Sequence, residues 1–123
     1  MTTDGESLLE PDEPWRAEML AAIESDDVRL ATQSLLELTY NDPDGEWVEQ
    51  VVLKHLDTRY DDQLRALAAT CLGHVARIHG RITRRTVVPT LRALLSDPGL
   101  AGRAQDALDD IDQFAPASTG VDD

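Results

Sequence analysis

Basic side chains are in short supply. Lys and Arg together number 11 against 24 Asp and Glu, a formal net charge of −13. Phosphate backbones repel such a chain, so no nucleic-acid partner is expected. Aromatic residues are few, with one Phe, two Tyr and two Trp, and strand signals are correspondingly scarce. One cysteine, Cys71, leaves no intramolecular disulfide framework and fits a reducing cytoplasm. No apolar run approaches the roughly 18 residues of a membrane span. Thr2, Thr3 and Asp4 stand where a secretory leader would carry basic and then apolar residues. A soluble, cytoplasmic protein with no membrane contact is expected.

Catalytic signatures are missing too. There is no Gly-rich phosphate loop, nucleophile elbow or His-Glu-x-x-His pair. Adjacent acids such as Asp109 and Asp110 diverge by about 100° on a helix and make a poor acid/base couple. No catalytic residue and no cofactor are expected.

The chain has 123 residues, enough for one hydrophobic core. Its charge is uneven. Residues 1–13 carry five acids and residues 115–123 two, with no base in either, leaving 17 acids against 11 bases between them. Both ends are expected to be acidic disordered tails around a domain at 14–114.

That domain reads as helical. In LRALAATCLGHVARIHG the apolar residues Leu64, Leu67, Ala68, Cys71, Leu72, Val75 and Ile78 form one broad stripe. Asp61 or Asp62 can cap its start and Gly80 can end it. The pattern recurs at an offset of 36. Val28, Arg29, Leu35 and Leu36 fall at one multiple, and Leu100, Ala104, Ala107, Leu108 and Ile111 at the next. A shorter amphipathic segment precedes each of these helices: PWRAEMLAAIES, PDGEWVEQVVLKHLD and TRRTVVPTLRALLSD. Asp26–Asp27, Asp57 to Asp62 and Asp97–Pro98 supply the turns. Six helices in three hairpins are predicted, an all-α short α-solenoid in which each hairpin needs its neighbour to bury its apolar face.

The last unit, VVPTLRALLSDPGLAGRAQDALDDI, resembles a HEAT repeat. The matching features are Pro89 within its first helix, Asp97 closing it, and an Ala-Leu-x-x-Ile ending. Val28–Arg29 after the acidic turn, and YDDQLRALAATCLG in the middle unit, match as well. The resemblance covers residues 14–114. It implies pairing of turn aspartates with following arginines along the stack: Asp26 or Asp27 with Arg29, and Asp62 with Arg65. The third unit has Ala101 where the arginine belongs, so the ladder is expected to stop there.

Cys71, His74 and His79 lie within nine residues, which raises the question of a metal site. His74 is one turn from Cys71, but His79 is about 140° further around the helix and His55 belongs to the preceding one. Structural zinc wants four ligands, and the usual ligand pairs are absent. Cys71 sits in mid-stripe, where a small core residue is expected rather than an exposed, activated thiolate. No metal is expected.

With each stripe turned inward, the opposite faces of the second helices become predictable. They carry Gln33, Glu37 and Tyr40, then Ala66, Ala69, Gly73 and Arg77, then Asp106, Asp109 and Gln113. In a HEAT-like stack these helices line the usual partner face. The result would be a small-residue floor with acidic flanks, suited to a basic protein element. Trp15 and Trp47 open first helices and read as packing anchors. The segment CLGHVARIHGRI…VVPTLRALLSD is also similar to small bacterial HEAT-like immunity proteins of polymorphic toxin systems, which bind and neutralise a toxin domain, commonly a basic nuclease. That resemblance implies a non-catalytic protein with a basic toxin partner. A general HEAT adaptor is the alternative. A HEAT-like lyase or DNA glycosylase fits less well, since a glycosylase needs a basic groove.

Overall fold

The computed structural model describes residues 13–116; the expectations about the two tails concern mainly residues outside that range. Six helices follow in order: α1 Glu13–Ile23, α2 Val28–Asn41, α3 Gly45–Lys54, α4 Asp62–His79, α5 Arg84–Leu94 and α6 Ala101–Phe114. No strand occurs among the described residues, so the fold is all-α as the periodicity predicts. None of these helices is long and apolar enough to cross a membrane.

Aspartates start three of the helices, each accepting a backbone N–H that the first turn leaves unpaired. Asp27 accepts from Leu30 at 3.1 Å, Asp44 from Trp47 at 3.1 Å and Asp61 from Gln63 at 2.7 Å. Gly80 ends α4 at φ 71°, a left-handed conformation that costs glycine nothing, and its N–H reaches the Ala76 carbonyl at 2.8 Å. At the last turn Asp97 Oδ1 accepts the Gly99 N–H at 2.9 Å, while its carbonyl takes the amides of Leu100 and Ala101. Pro89 lies inside α5, as the sequence places it.

Each first helix packs on the second helix of its own hairpin, α1 on α2, α3 on α4 and α5 on α6. The second helices lie side by side, with α4 between α2 and α6. The core sits between the two layers. Ile23, Leu35, Leu38, Val48, Val52, Leu72, Val75, Val87, Leu91 and Ile111 are fully buried there. Each such side chain contributes on the order of 1.5–3 kcal/mol by leaving water. Cys71 is buried among them, where the stripe puts it. Trp15 and Trp47 are half-buried against this core.

Two expectations need correction. Ala69 and Gly73 do not form an open floor; both are buried. The stripe reports one buried face of α4, but the central helix has neighbours on two further sides. A Cβ added at Gly73 would lie 2.7 Å from Asp110 Oδ2 and 3.2 Å from the Ala107 Cα, so the small residue sets how closely α6 approaches. Of the expected aspartate–arginine pairs, Asp62 with Arg65 is present, within one helix rather than along the stack, and Arg29 has no aspartate partner among the described residues. Arg29 is exposed and Asp27 is occupied as a cap. Arg65 is buried and donates to the Leu56 carbonyl at 2.9 Å, with Asp62 of its own helix at 3.4 Å. Arg103 of the third unit reaches the Thr70 hydroxyl at 3.1 Å.

Candidate partner-binding face

Contacts between α4 and α6 advance together along both helices. They run from Thr70–Arg103 through Gly73 against Ala107 and Asp110 to Arg77, whose guanidinium lies 5.9 Å from the centre of the Phe114 ring. The two helices are therefore parallel, and their last turns end together. On the other side, the Tyr40 ring of α2 sits 5.0 Å from the His74 ring of α4, with its hydroxyl 3.4 Å from both ring nitrogens. Burial pushes the His74 imidazole below its ordinary range, the Arg77 charge adds to this and Asp110 opposes it. His74 is thus largely uncharged at neutral pH.

Gln33, Glu37, Tyr40, Arg77, Asp106, Asp109 and Gln113 are all exposed. Asp109 accepts from Gln105 at 3.0 Å within α6. Tyr40 and Arg77 gather near the C-terminal ends of α2 and α4, whereas Gln33 and Asp106 lie further back along their helices. Three residues of this face escaped the periodicity: His74, Ile78 and Phe114. Ile78 belongs to the apolar stripe by angle, yet it is exposed in the last turn of α4. Tyr40, next to the last residue of α2, meets His74, so α4 runs on for about a turn beyond the end of α2 and Ile78 lies in that overhang. Phe114 is the last residue of α6; an aromatic one residue past a predicted polar face was the available signal.

Elsewhere, polar groups serve the fold. Glu24, just after α1 in the turn of the first hairpin, accepts from His55 Nε2 at 2.9 Å and the Tyr60 hydroxyl at 2.8 Å, with Lys54 Nζ at 3.3 Å. His55 is fully buried, and its Nδ1 is 2.7 Å from the Val51 carbonyl. Burial would push the Glu24 carboxyl up, but the hydrogen bonds from Tyr60, His55 and Lys54, with the Lys54 charge, bring it down to about 2. A depressed carboxylate adds stability above its ordinary value of 4.5, and that stability is lost as pH falls towards 2. Glu24→Gln should therefore flatten the fall in urea midpoint between pH 5 and pH 3. The carboxylate is partly exposed, so water screens part of the effect. Equal losses in variant and wild type would show that the cluster contributes nothing.

A cleft of about 790 Å3 opens beyond the ends of α2 and α4, lined by Asp44, Glu46, Glu49, His79, Arg81 and Arg85 among others. Both signs of charge line it. Glu49 already accepts the Thr83 N–H at 2.8 Å, joining α3 to the start of α5. The His79 ring packs on the Gly45 backbone, where an added Cβ would come within 2.6 Å of Cγ. Cys71 has no part in any such site: burial raises its thiol to about 11, with a hydrogen bond from Thr39 working the other way. Among the described residues no group of three or more His, Cys, Asp or Glu is arranged to hold a metal.

A chain from the crystal structure of a CDI complex from Cupriavidus taiwanensis LMG 19424 is similar to this one. The TM-score is 0.72 and the sequences are 31% identical, over 80% of this chain and 86% of that chain. No family model and no curated protein matches.

Proposed function

This chain belongs to the same family as the chain it matches in the CDI complex, and from that premise we propose that it is a non-catalytic immunity protein that binds and neutralises a cognate toxin domain. The observation that carries the reading is that likeness over most of both chains, together with CDI standing for contact-dependent inhibition. Composition agrees. An acidic chain is suited to a basic toxin, and complementary charge speeds encounter. The reading of the three hairpins as HEAT-like is supported by the 36-residue recurrence and by the side-by-side packing of α2, α4 and α6.

A toxin gene is tolerated only where its antidote is inherited with it, so the two genes travel together. The test is co-expression in bacteria of this chain with the polypeptide encoded beside it. We expect the neighbour alone to arrest growth, co-expression to restore it, and the two proteins to co-purify through a high-salt wash. Arrest without rescue, or a neighbour that is harmless alone, would sink the immunity reading. Weak retention of several unrelated proteins would favour an adaptor instead.

A further inference from the structure

One stretch of this acidic chain holds no acid. Residues 63–96, from the first turn of α4 to just past the end of α5, contain no Asp or Glu but six of the 11 bases. Two of those six, Arg81 and Arg85, are exposed and make no hydrogen bond or ion pair among the described residues. Both line the 790 Å3 cleft between the α4–α5 connection and the start of α3. The start of α5 adds the same sign. Thr83 supplies no side-chain cap there, and the first turn carries Arg84 and Arg85 where an acid would be favoured. On the opposite wall, the Asp44 carboxylate is occupied as the cap of α3, and Glu49 holds the Thr83 N–H. Glu46 alone is exposed and without a partner among the described residues. Two guanidiniums and a helix start are thus left to meet a ligand, against one carboxylate. At physiological ionic strength charges beyond about 8 Å are largely screened, so these local groups, rather than the net charge of −13, decide what enters.

We propose that this corner is the docking site for an acidic segment of the protein partner, whose Asp or Glu carboxylates pair with Arg81 and Arg85. Charge decides the occupant. A nucleic acid would bring a continuous row of phosphates past Glu46 and along a strongly acidic chain. A folded protein instead places one or two carboxylates at a single spot. Net charge draws a basic toxin in, and the corner accepts only orientations that turn an acidic segment towards it, which fixes register. This inference rests on the immunity reading and locates the part of the surface where the signs are reversed.

The experiment measures binding of the purified neighbouring-gene polypeptide to this chain by calorimetry, and circular dichroism verifies the folding of each variant. Arg81→Glu with Arg85→Glu reverses the corner, and the acid it sets in the first turn of α5 favours that helix. Arg29→Glu with Arg92→Glu makes the same charge change outside the cleft, on α2 and in the last turn of α5. Glu46→Gln removes the opposing carboxylate. The corner variant should bind about 30-fold more weakly or worse, and the control within about threefold of wild type. Glu46→Gln should bind no more weakly than wild type. If wild type binds tightly and the corner variant loses no more than the control, the corner is not the site and the immunity reading stands. A loss in Glu46→Gln as large as the corner variant's would mean a two-signed occupant, which overturns the proposal. Loss of RNA-oligonucleotide binding or of self-association in the corner variant, with toxin binding intact, would assign the corner to that occupant instead. No binding by wild type removes the immunity reading, and this inference falls with it.

Discussion

Cys71→Asp should abolish cooperative folding at neutral pH. The residue is fully buried on the core side of α4, as is Thr39 on α2, whose hydroxyl donates to the Leu35 carbonyl at 2.8 Å. The thiol raised to about 11 shows how this site treats negative charge. No neighbouring charge figures in the thiol's shift, and a carboxylate buried there unpaired costs several kcal/mol after relaxation. A small domain has only about 5–15 kcal/mol in total. The helical signal of the variant should therefore melt without a sharp transition, or be largely lost at 25 °C. Cys71→Ala separates charge from volume: it keeps the site apolar and should stay folded, at a cost of about 1 kcal/mol for the small cavity. A Cys71→Asp protein with the wild-type melting curve would refute the core placement.

That residue also shows what was readable beforehand. Cys71 lies at the centre of a periodic stripe, and periodicity reports the face a helix turns to its core whatever the rest of the chain does. The cap at Asp61, one of the two aspartates offered, and the stop at Gly80 were equally legible, because they depend on residues within one turn. Ala69 and Gly73 were misplaced for the complementary reason. Their burial depends on α6 lying against α4, and the stripe carries no record of how many neighbours a helix has. Ile78 erred in the opposite direction, since angle places it inside while α4 runs on past the end of α2 there.

The candidate face divides along the same line. Glu37, Tyr40, Asp106 and Asp109 needed only helical phase to be placed outside. Gathering Tyr40, Ile78 and Phe114 at one edge needed the register between helices, which is set by close contacts such as Gly73 against Ala107. Polar staples were least visible. Arg16 and Asp42 are 26 residues apart, His55 and Glu24 are 31 apart, and Thr83 and Glu49 are 34 apart. No local pattern announces such pairs.

The first of those staples is where a single carboxylate should matter most. Arg16 Nε and Nη2 meet the two oxygens of Asp42 at 2.7 and 2.8 Å, and the same carboxylate accepts the Asp44 N–H at 2.9 Å. The guanidinium also lies 3.8 Å from the centre of the Trp47 ring. One buried side chain between α2 and α3 thus ties α1 to the start of the second hairpin. Burial would push the Asp42 carboxyl up, but the Arg16 hydrogen bonds, the Asp44 amide and the Arg16 charge hold it below its ordinary value of 3.8. Asp42→Ala would strand a largely buried guanidinium and an unpaired amide, and should cost about 3–5 kcal/mol in urea denaturation. Asp42→Asn keeps the shape and an acceptor, so it should cost less. The sign with pH follows from the depressed carboxyl. The stabilisation is fully present above its ordinary value and disappears as pH falls through the lower folded value. The gap between wild type and Asp42→Ala should therefore be constant from pH 7 to pH 5 and close only below about pH 4. A loss under about 1 kcal/mol at neutral pH would mean that water replaces Asp42 at little cost, as it does for an exposed pair, and the two hairpins would then be held together by apolar packing alone.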